Sequence, residues 1–114
     1  MKESRPWGEF EILFVLPNLK FKIIRIFPGQ RTSLQKHKYR DESFYINKGS
    51  VFIQIDREIR EYFSEEKCLI EKGIIHRIEN RSDSVVEIIE IQTGVVVDED
   101  DIERIEDDYN REKK

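Results

Sequence analysis

The chain has 114 residues, 20 Lys and Arg against 24 Asp and Glu, and a formal net charge of −4. That length holds one domain with a single core, and a composition 39% charged and 38% hydrophobic describes a soluble globular protein rather than a disordered one. An acidic total excludes a general nucleic-acid binder, which needs a basic face to displace counterions, and no apolar run approaches a membrane span, so neither a nucleic-acid nor a membrane partner is expected.

Short runs of aromatic and β-branched residues recur along the chain, divided by turn formers. Glu9 to Leu16 reads as a strand, Pro17-Asn18 as a turn and Lys20 to Phe27 as the next strand, broken by Pro28-Gly29. Ser33 to Tyr39, Ser43 to Asn47 and Val51 to Asp56 follow, with Lys48-Gly49 turning between the last two. Ile59 to Phe63 and Lys67 to Ile70 are shorter, Ile74 to Glu79 follows Gly73, Asn80 to Ser84 is a polar turn, and Val85 to Gln92 is the last long strand. No helix of core length interrupts them. The expected class is all-β, a sandwich or barrel of antiparallel strands over residues 1–97.

The last segment changes character. Asp98, Glu99, Asp100 and Asp101 precede Ile102, Ile105 and Tyr109, whose spacing of three and four residues predicts a short amphipathic helix over residues 98–111. Acidic residues in its first turn and Arg111, Lys113 and Lys114 at its end suit the helix dipole. Cys68, the single cysteine, beside Leu69 and Ile70, excludes an intrachain disulfide and reads as a packed apolar residue in a reducing compartment. With a charged segment after Met1 in place of a signal-peptide apolar region, the expected location is cytoplasmic.

Residue types that bind metals recur at a suggestive spacing. Gln35 and His37, one residue apart, share a face of an extended strand. Glu42 can meet them from the returning stretch, and His76 closes the set, with Asn80 nearby in sequence. Two imidazoles, a carboxylate and an amide oxygen suit one divalent zinc, manganese, iron, cobalt or nickel ion without choosing among them. Lys36, His37, Lys38 and Arg40, with Arg77 beside His76, gather positive charge around that set despite the acidic total, which suits an anionic small molecule such as a sugar phosphate. Two readings of Arg40 and Arg77 stand at this point: ligand binding, or ion pairing with Asp41 and Glu79. Glu90 and Gln92 share a strand face, and Glu90 is a candidate base if that face is interior.

The order Gly29, Gln35, His37, Glu42, Gly49 resembles the first cupin motif, with Gln in place of its first His, and Glu65 through Gly73, His76 and Asn80 resembles the second. Beyond these, Arg5-Pro6-Trp7-Gly8, Ser33-Leu34-Gln35, His76-Arg77-Ile78-Glu79-Asn80, Ile89-Glu90-Ile91-Gln92 and Glu99-Asp100-Asp101-Ile102-Glu103-Arg104 resemble the cupin-type (type II) mannose-6-phosphate isomerases. In many relatives of that kind this module is the C-terminal part of a bifunctional enzyme that is also a mannose-1-phosphate guanylyltransferase. No Gly-rich nucleotide-binding segment precedes Arg5, so the transferase activity is not expected here.

The resemblance implies a single cupin domain over residues 1–114, a double-stranded β-helix or jelly roll, holding one divalent metal through Gln35, His37, Glu42 and His76. It implies interconversion of mannose 6-phosphate and fructose 6-phosphate through an enediol, with Arg77 and Glu90 in the chemistry and Arg5, Arg40 and Arg77 on phosphate or enediolate oxygens. The family's extra imidazoles are replaced by Lys38-Tyr39 and Ser43-Phe44. Two alternatives therefore stay open: a non-catalytic module that binds metal or sugar phosphate, and a cupin enzyme of another class, such as an oxygenase or epimerase. A homodimer is expected, because jelly rolls leave strand edges that a second copy commonly covers.

Overall fold

A computed structural model describes residues 2–111, which form eleven strands and no helix. In chain order these are β1 (Lys2–Arg5), β2 (Gly8–Leu16), β3 (Leu19–Ile26), β4 (Leu34–Lys36), β5 (Arg40–Lys48), β6 (Ser50–Ile55), β7 (Glu58–Phe63), β8 (Lys67–Ile70), β9 (His76–Glu79), β10 (Val86–Gly94) and β11 (Glu103–Glu106). They pair antiparallel into a six-stranded sheet, β1-β2-β3-β10-β5-β8, and a five-stranded sheet, β11-β4-β9-β6-β7. The expected strands are all present, with Ser33 to Tyr39 shortened to β4 and β1 and β11 added at the two ends of the chain.

Strand alternation explains where the site lies. On β3, Lys20, Lys22, Ile24 and Ile26 are buried while Phe21, Ile23 and Arg25 face outward and are half-buried. The inward residues of β10 are Val86, Ile88, Glu90 and Gln92, and those of β5 are Arg40, Glu42, Phe44 and Ile46. Pairing sets Val86 opposite Ile26, then Ile88 between Ile24 and Ile46, Glu90 between Lys22 and Phe44, and Gln92 between Lys20 and Glu42. The interior thus grades from apolar to charged along the strands. At the apolar end Val51, Ile53 and Ile78 of the second sheet complete a core in which each buried Ile or Val contributes roughly 1.5–3 kcal/mol. At the polar end β9 presents His76, whose neighbours across the ladder are Ile55 and Gln35.

Asn80 is buried, and its side chain is taken up by backbone and turn contacts. Its amide donates to the carbonyls of Ile26 and Ser84, and its oxygen accepts from the Ser82 amide and hydroxyl, so it ties the β9–β10 turn to β3.

The helix expected over residues 98–111 is not formed. Residues 103–106 instead add β11 to the edge of β4, with Glu103 opposite Lys36 and Arg104 opposite Gln35. The acidic residues before it serve tertiary contacts rather than a helix terminus. The Glu99 carboxylate accepts from Lys20 and Lys22, and that of Asp101 accepts the backbone amides of Lys38 at 2.8 Å and Tyr39 at 2.9 Å. Ile102, Ile105 and Tyr109 do not share one stripe: Ile102 lines an internal cavity, Tyr109 packs on the core and Ile105 is exposed. A helix this short is marginal by itself, whereas an open β4 edge offers backbone partners at once.

Asp101→Ala removes the acceptor for two amides and is expected to cost about 0.5–2 kcal/mol, as loss of a helix cap does. Urea unfolding monitored at Trp7 measures it; an unchanged midpoint would show that this segment is not held by that carboxylate.

Candidate metal centre

Glu42 is the hub of the polar end. It is 2% exposed, and its Oε2 lies 3.2 Å from His37 Nε2 and 2.8 Å from an Arg40 guanidinium nitrogen, while Oε1 lies 3.1 Å from His76 Nε2. The two imidazole centroids are 5.2 Å apart, and potential donor atoms of His37, Glu42 and His76 all fall within 4.8 Å of one another. Arg40 and Glu42, two residues apart on β5, share its inward face; His37 arrives from the link between β4 and β5, and His76 from the facing sheet.

Backbone carbonyls dictate the ring tautomers. His37 Nδ1 lies 2.7 Å from the Asp101 oxygen and His76 Nδ1 lies 3.0 Å from the Ile74 oxygen. A carbonyl only accepts, so each Nδ1 carries the hydrogen and each Nε2 is turned to a Glu42 oxygen, where it donates when protonated and offers a lone pair to a cation when not. His37 Nε2 is buried without a hydrogen bond among the described residues. Lone pairs facing an ionised carboxylate repel one another until positive charge enters between them. A divalent cation fits that requirement and this nitrogen and oxygen donor set. Gln35, paired with His76 across the ladder and lining the same cavity, has an Oε1 that accepts from Ser33 Oγ and keeps a second lone pair for a fourth bond.

Neighbouring charges tune the carboxyls in opposite senses. Burial is the largest influence on Glu42 and raises its pKa, but the imidazoles of His37 and His76 facing it outweigh burial and hold the group well below the ordinary value. Glu90 is pushed well above it, first by burial and then by the Glu42 charge. The Arg40 pKa rises: burial opposes its charge, and Glu42 and Glu90 more than compensate.

The cavity above this cluster has a volume of about 90 Å³. Arg5, Arg40, Gln35, Glu42, His76 and Glu90 line it. His37 does not; its ring closes the cluster from behind and borders a second hollow with Tyr39 and Asp101. Arg77 is also outside the lining. As the neighbour of His76 on β9 it faces the other way, and its guanidinium donates to the Thr32 carbonyl at 3.1 Å and lies 3.6 Å from Glu106, a placement that ties β9 to the chain on either side of it. Neither arginine pairs with the carboxylate weighed for it, Asp41 or Glu79; Arg40 pairs with Glu42 instead.

Several lining residues were not among the expected site residues. Lys22, with its ammonium 3.9 Å from the Phe10 ring centroid and bonded to Glu99, sits on the inward face of β3. A lysine alternating in phase with Ile24 and Ile26 was the available sign of it. Glu99, Arg104 and Arg111 reach the cavity only because the terminal segment folds back as β11, which the helical spacing obscured.

Two facing antiparallel sheets around a His-Glu-His cluster define a cupin. The same fold is found in the cupin domain of Schizosaccharomyces pombe Cnp3, with a TM-score of 0.73 at 16% identity over 75% of this chain and 64% of that one. Within that class the chain belongs to the family described as mannose-6-phosphate isomerase C-terminal, whose model matches residues 1–107. Similar proteins include the alginate biosynthesis protein AlgA of Pseudomonas aeruginosa, 35% identical over 94% of this chain and 22% of its own length. Another is a mannose-1-phosphate guanylyltransferase of Sinorhizobium fredii, 34% identical over 95% of this chain and 21% of its own. The chain therefore spans about a fifth of the length of these relatives.

For Glu90, a folded-state pKa above the ordinary 4.5 means that the protonated form contributes stability, fully present below that value and lost as pH rises through the folded value. In chelator-treated protein, Glu90→Gln is expected to flatten the fall of Tm as pH rises above the ordinary carboxyl value of 4.5. Parallel wild-type and variant melting curves across that range would contradict the assignment.

Proposed function

We propose that this chain is a metal-dependent sugar-phosphate isomerase that interconverts mannose 6-phosphate and fructose 6-phosphate through an enediol. The observation that carries the reading is the buried His37–Glu42–His76 cluster, its potential ligand atoms within 4.8 Å of one another, beneath a cavity lined by Arg5, Arg40 and Lys22. Membership of the mannose-6-phosphate isomerase C-terminal family supports it.

His37, Glu42, His76 and Gln35 would hold one divalent ion of zinc, manganese, cobalt, nickel or iron. When bound, such an ion supplies Lewis acidity for the sugar's carbonyl and hydroxyl oxygens. Arg40, fixed by Glu42 and by the Asp98 carbonyl at 2.9 Å, keeps that carboxylate oriented and adds a fixed positive charge beside it. Glu90 is the lining carboxyl that lacks an ion pair among the described residues, in contrast to Glu42 with Arg40 and Glu99 with Lys20 and Lys22. We assign it the proton that moves between C1 and C2, with Gln92 donating to its Oε2 at 3.2 Å and holding its orientation. Phe44 and Trp7, buried in the same wall, restrict water around the transferred proton. Arg77, held by Thr32 and Glu106, is assigned a structural role.

The lost family imidazoles bear less on turnover than their number suggests. Ser43 points away from the cavity, between the inward Glu42 and Phe44, and Tyr39 is 42% exposed beyond His37. This favours the enzyme over a non-catalytic binding module. The same reading includes a cytoplasmic homodimer. The outer face of the six-stranded sheet gathers Tyr45, Leu69, Ile89 and Ile91, with Leu69 61% exposed, a patch suited to a second copy. Sedimentation equilibrium is expected to give about twice the 13.8 kDa chain mass, and Leu69→Lys to return it to one chain mass; a monomeric wild type would remove the dimer from the reading.

The main test couples elemental analysis of protein purified without added metal to an isomerase assay on mannose 6-phosphate. One bound divalent ion per chain and turnover are expected, and His76→Ala should lose both while remaining folded. Metal retained by that variant would refute the ligand assignment. Metal without turnover in the wild type would favour the binding module, and oxygen uptake with an iron requirement would favour another cupin chemistry.

A further inference from the structure

Three arginines meet where the two sheets part. Arg5 ends β1, the edge of the first sheet, Arg104 lies on β11, the edge of the second, and Arg111 follows a turn after β11; all three line the cavity that contains Glu42 and His76. Their surroundings do not neutralise them equally. Arg111 is clamped by Asp107, at 2.7 Å from Nε and 3.1 Å from a terminal nitrogen. Arg5 stacks 4.6 Å from the Phe10 centroid and pairs at 3.2 Å with Glu3, while also donating to the Ser4 carbonyl. Arg104 has neither hydrogen bond nor ion pair for its guanidinium among the described residues, and its Nε is buried. Burial first, and then the charges of Arg111 and Arg5, depress its pKa, the mark of a guanidinium held among like charges without a full counter-ion.

A folded chain that brings like charges together with one buried donor unused is poised for an anion. Asp107 and the Phe10 ring hold two of the arginines in place before any ligand arrives, so little side-chain freedom is lost on binding. Tetrahedral oxyanions match this geometry, because each guanidinium fork can take two oxygens and a dianion relieves the repulsion among all three. The carboxylate of a sugar acid would offer two oxygens and one charge, fewer than three forks accept.

We propose that Arg5, Arg104 and Arg111 form the receptor for the phosphoryl group of the ligand, so that the terminal segment, folded back as β11, selects phosphorylated over free sugars. The proposal rests on the sugar-phosphate reading above for the identity of the ligand, but the anion site stands on its own residues. Metal and phosphate are then held by different parts of one cavity.

The test is calorimetric titration of the metal-analysed full chain with mannose 6-phosphate, inorganic phosphate and mannose, for the wild type and for Arg104→Gln, Arg104→Lys and Arg5→Gln. The wild type is expected to bind inorganic phosphate and to prefer mannose 6-phosphate over mannose by tenfold or more. Arg104→Gln should weaken both phosphorylated probes at least tenfold without changing metal content or Tm, and Arg104→Lys, which keeps the charge and loses the fork, should fall between. Phosphate binding in a wild type that shows no isomerase turnover would remove the functional reading and uphold the receptor. Unchanged affinity for mannose 6-phosphate in folded Arg104→Gln and Arg5→Gln, or a wild type blind to inorganic phosphate, would overturn the receptor even if turnover is intact.

Discussion

The arrangement depends on one buried carboxylate. Glu42 sits almost wholly out of water on the inward face of β5, where an isolated charge would be untenable. It is sustained because three cationic or cation-seeking groups converge on it: His37 from the β4–β5 link, Arg40 from two residues earlier on its own strand, and His76 from the facing sheet. Each imidazole is in turn fixed by a backbone carbonyl. Removing any one leaves the rest short of charge balance, so the polar end of the interior behaves as a single unit.

That unit is supported by a gradient written across three neighbouring strands. Because β3, β10 and β5 pair in register, their inward residues form successive rows that run from Ile26 and Val86 to Lys20, Gln92 and Glu42. The apolar rows provide the burial that closes the two sheets, and the polar rows come together because pairing among their charges offsets the cost of taking them out of water. Stability and chemistry occupy opposite ends of the same strands.

The terminal segment joins the two. Asp98 and Asp101 offer carbonyls to Arg40 and His37, Glu99 pairs with two buried lysines, and β11 carries Arg104 to the cavity. A single stretch thereby orients the candidate metal ligands and supplies the cations proposed to meet the phosphate. The proposed metal and phosphate sites, at separate places in one cavity, would suit the proposed isomerisation, since the reacting carbons and the phosphorylated carbon of a hexose 6-phosphate lie at opposite ends of the molecule.

Much of this was legible in the chain itself. Period-two patterning located the strands, and the spacing of Gln35, His37, Glu42 and His76 pointed to the cluster, because strand alternation is a local rule and motif spacing survives in one dimension. Register decided the rest. One-residue alternation sends Arg77 to the face opposite His76 and Ser43 to the face opposite Glu42, although adjacency in sequence suggested a shared site. Residues 98–111 carry a helical spacing of Ile102, Ile105 and Tyr109, yet an unpaired β4 edge and basic partners at Lys20 and Lys22 made an extended segment the better use of their backbone and carboxylates. The sequence by itself determined the class of fold and the identities of the candidate metal ligands, which depend on spacing within strands. Which arginines face the cavity was decided only by the tertiary structure, because side-chain direction there follows from pairing between strands far apart in the chain.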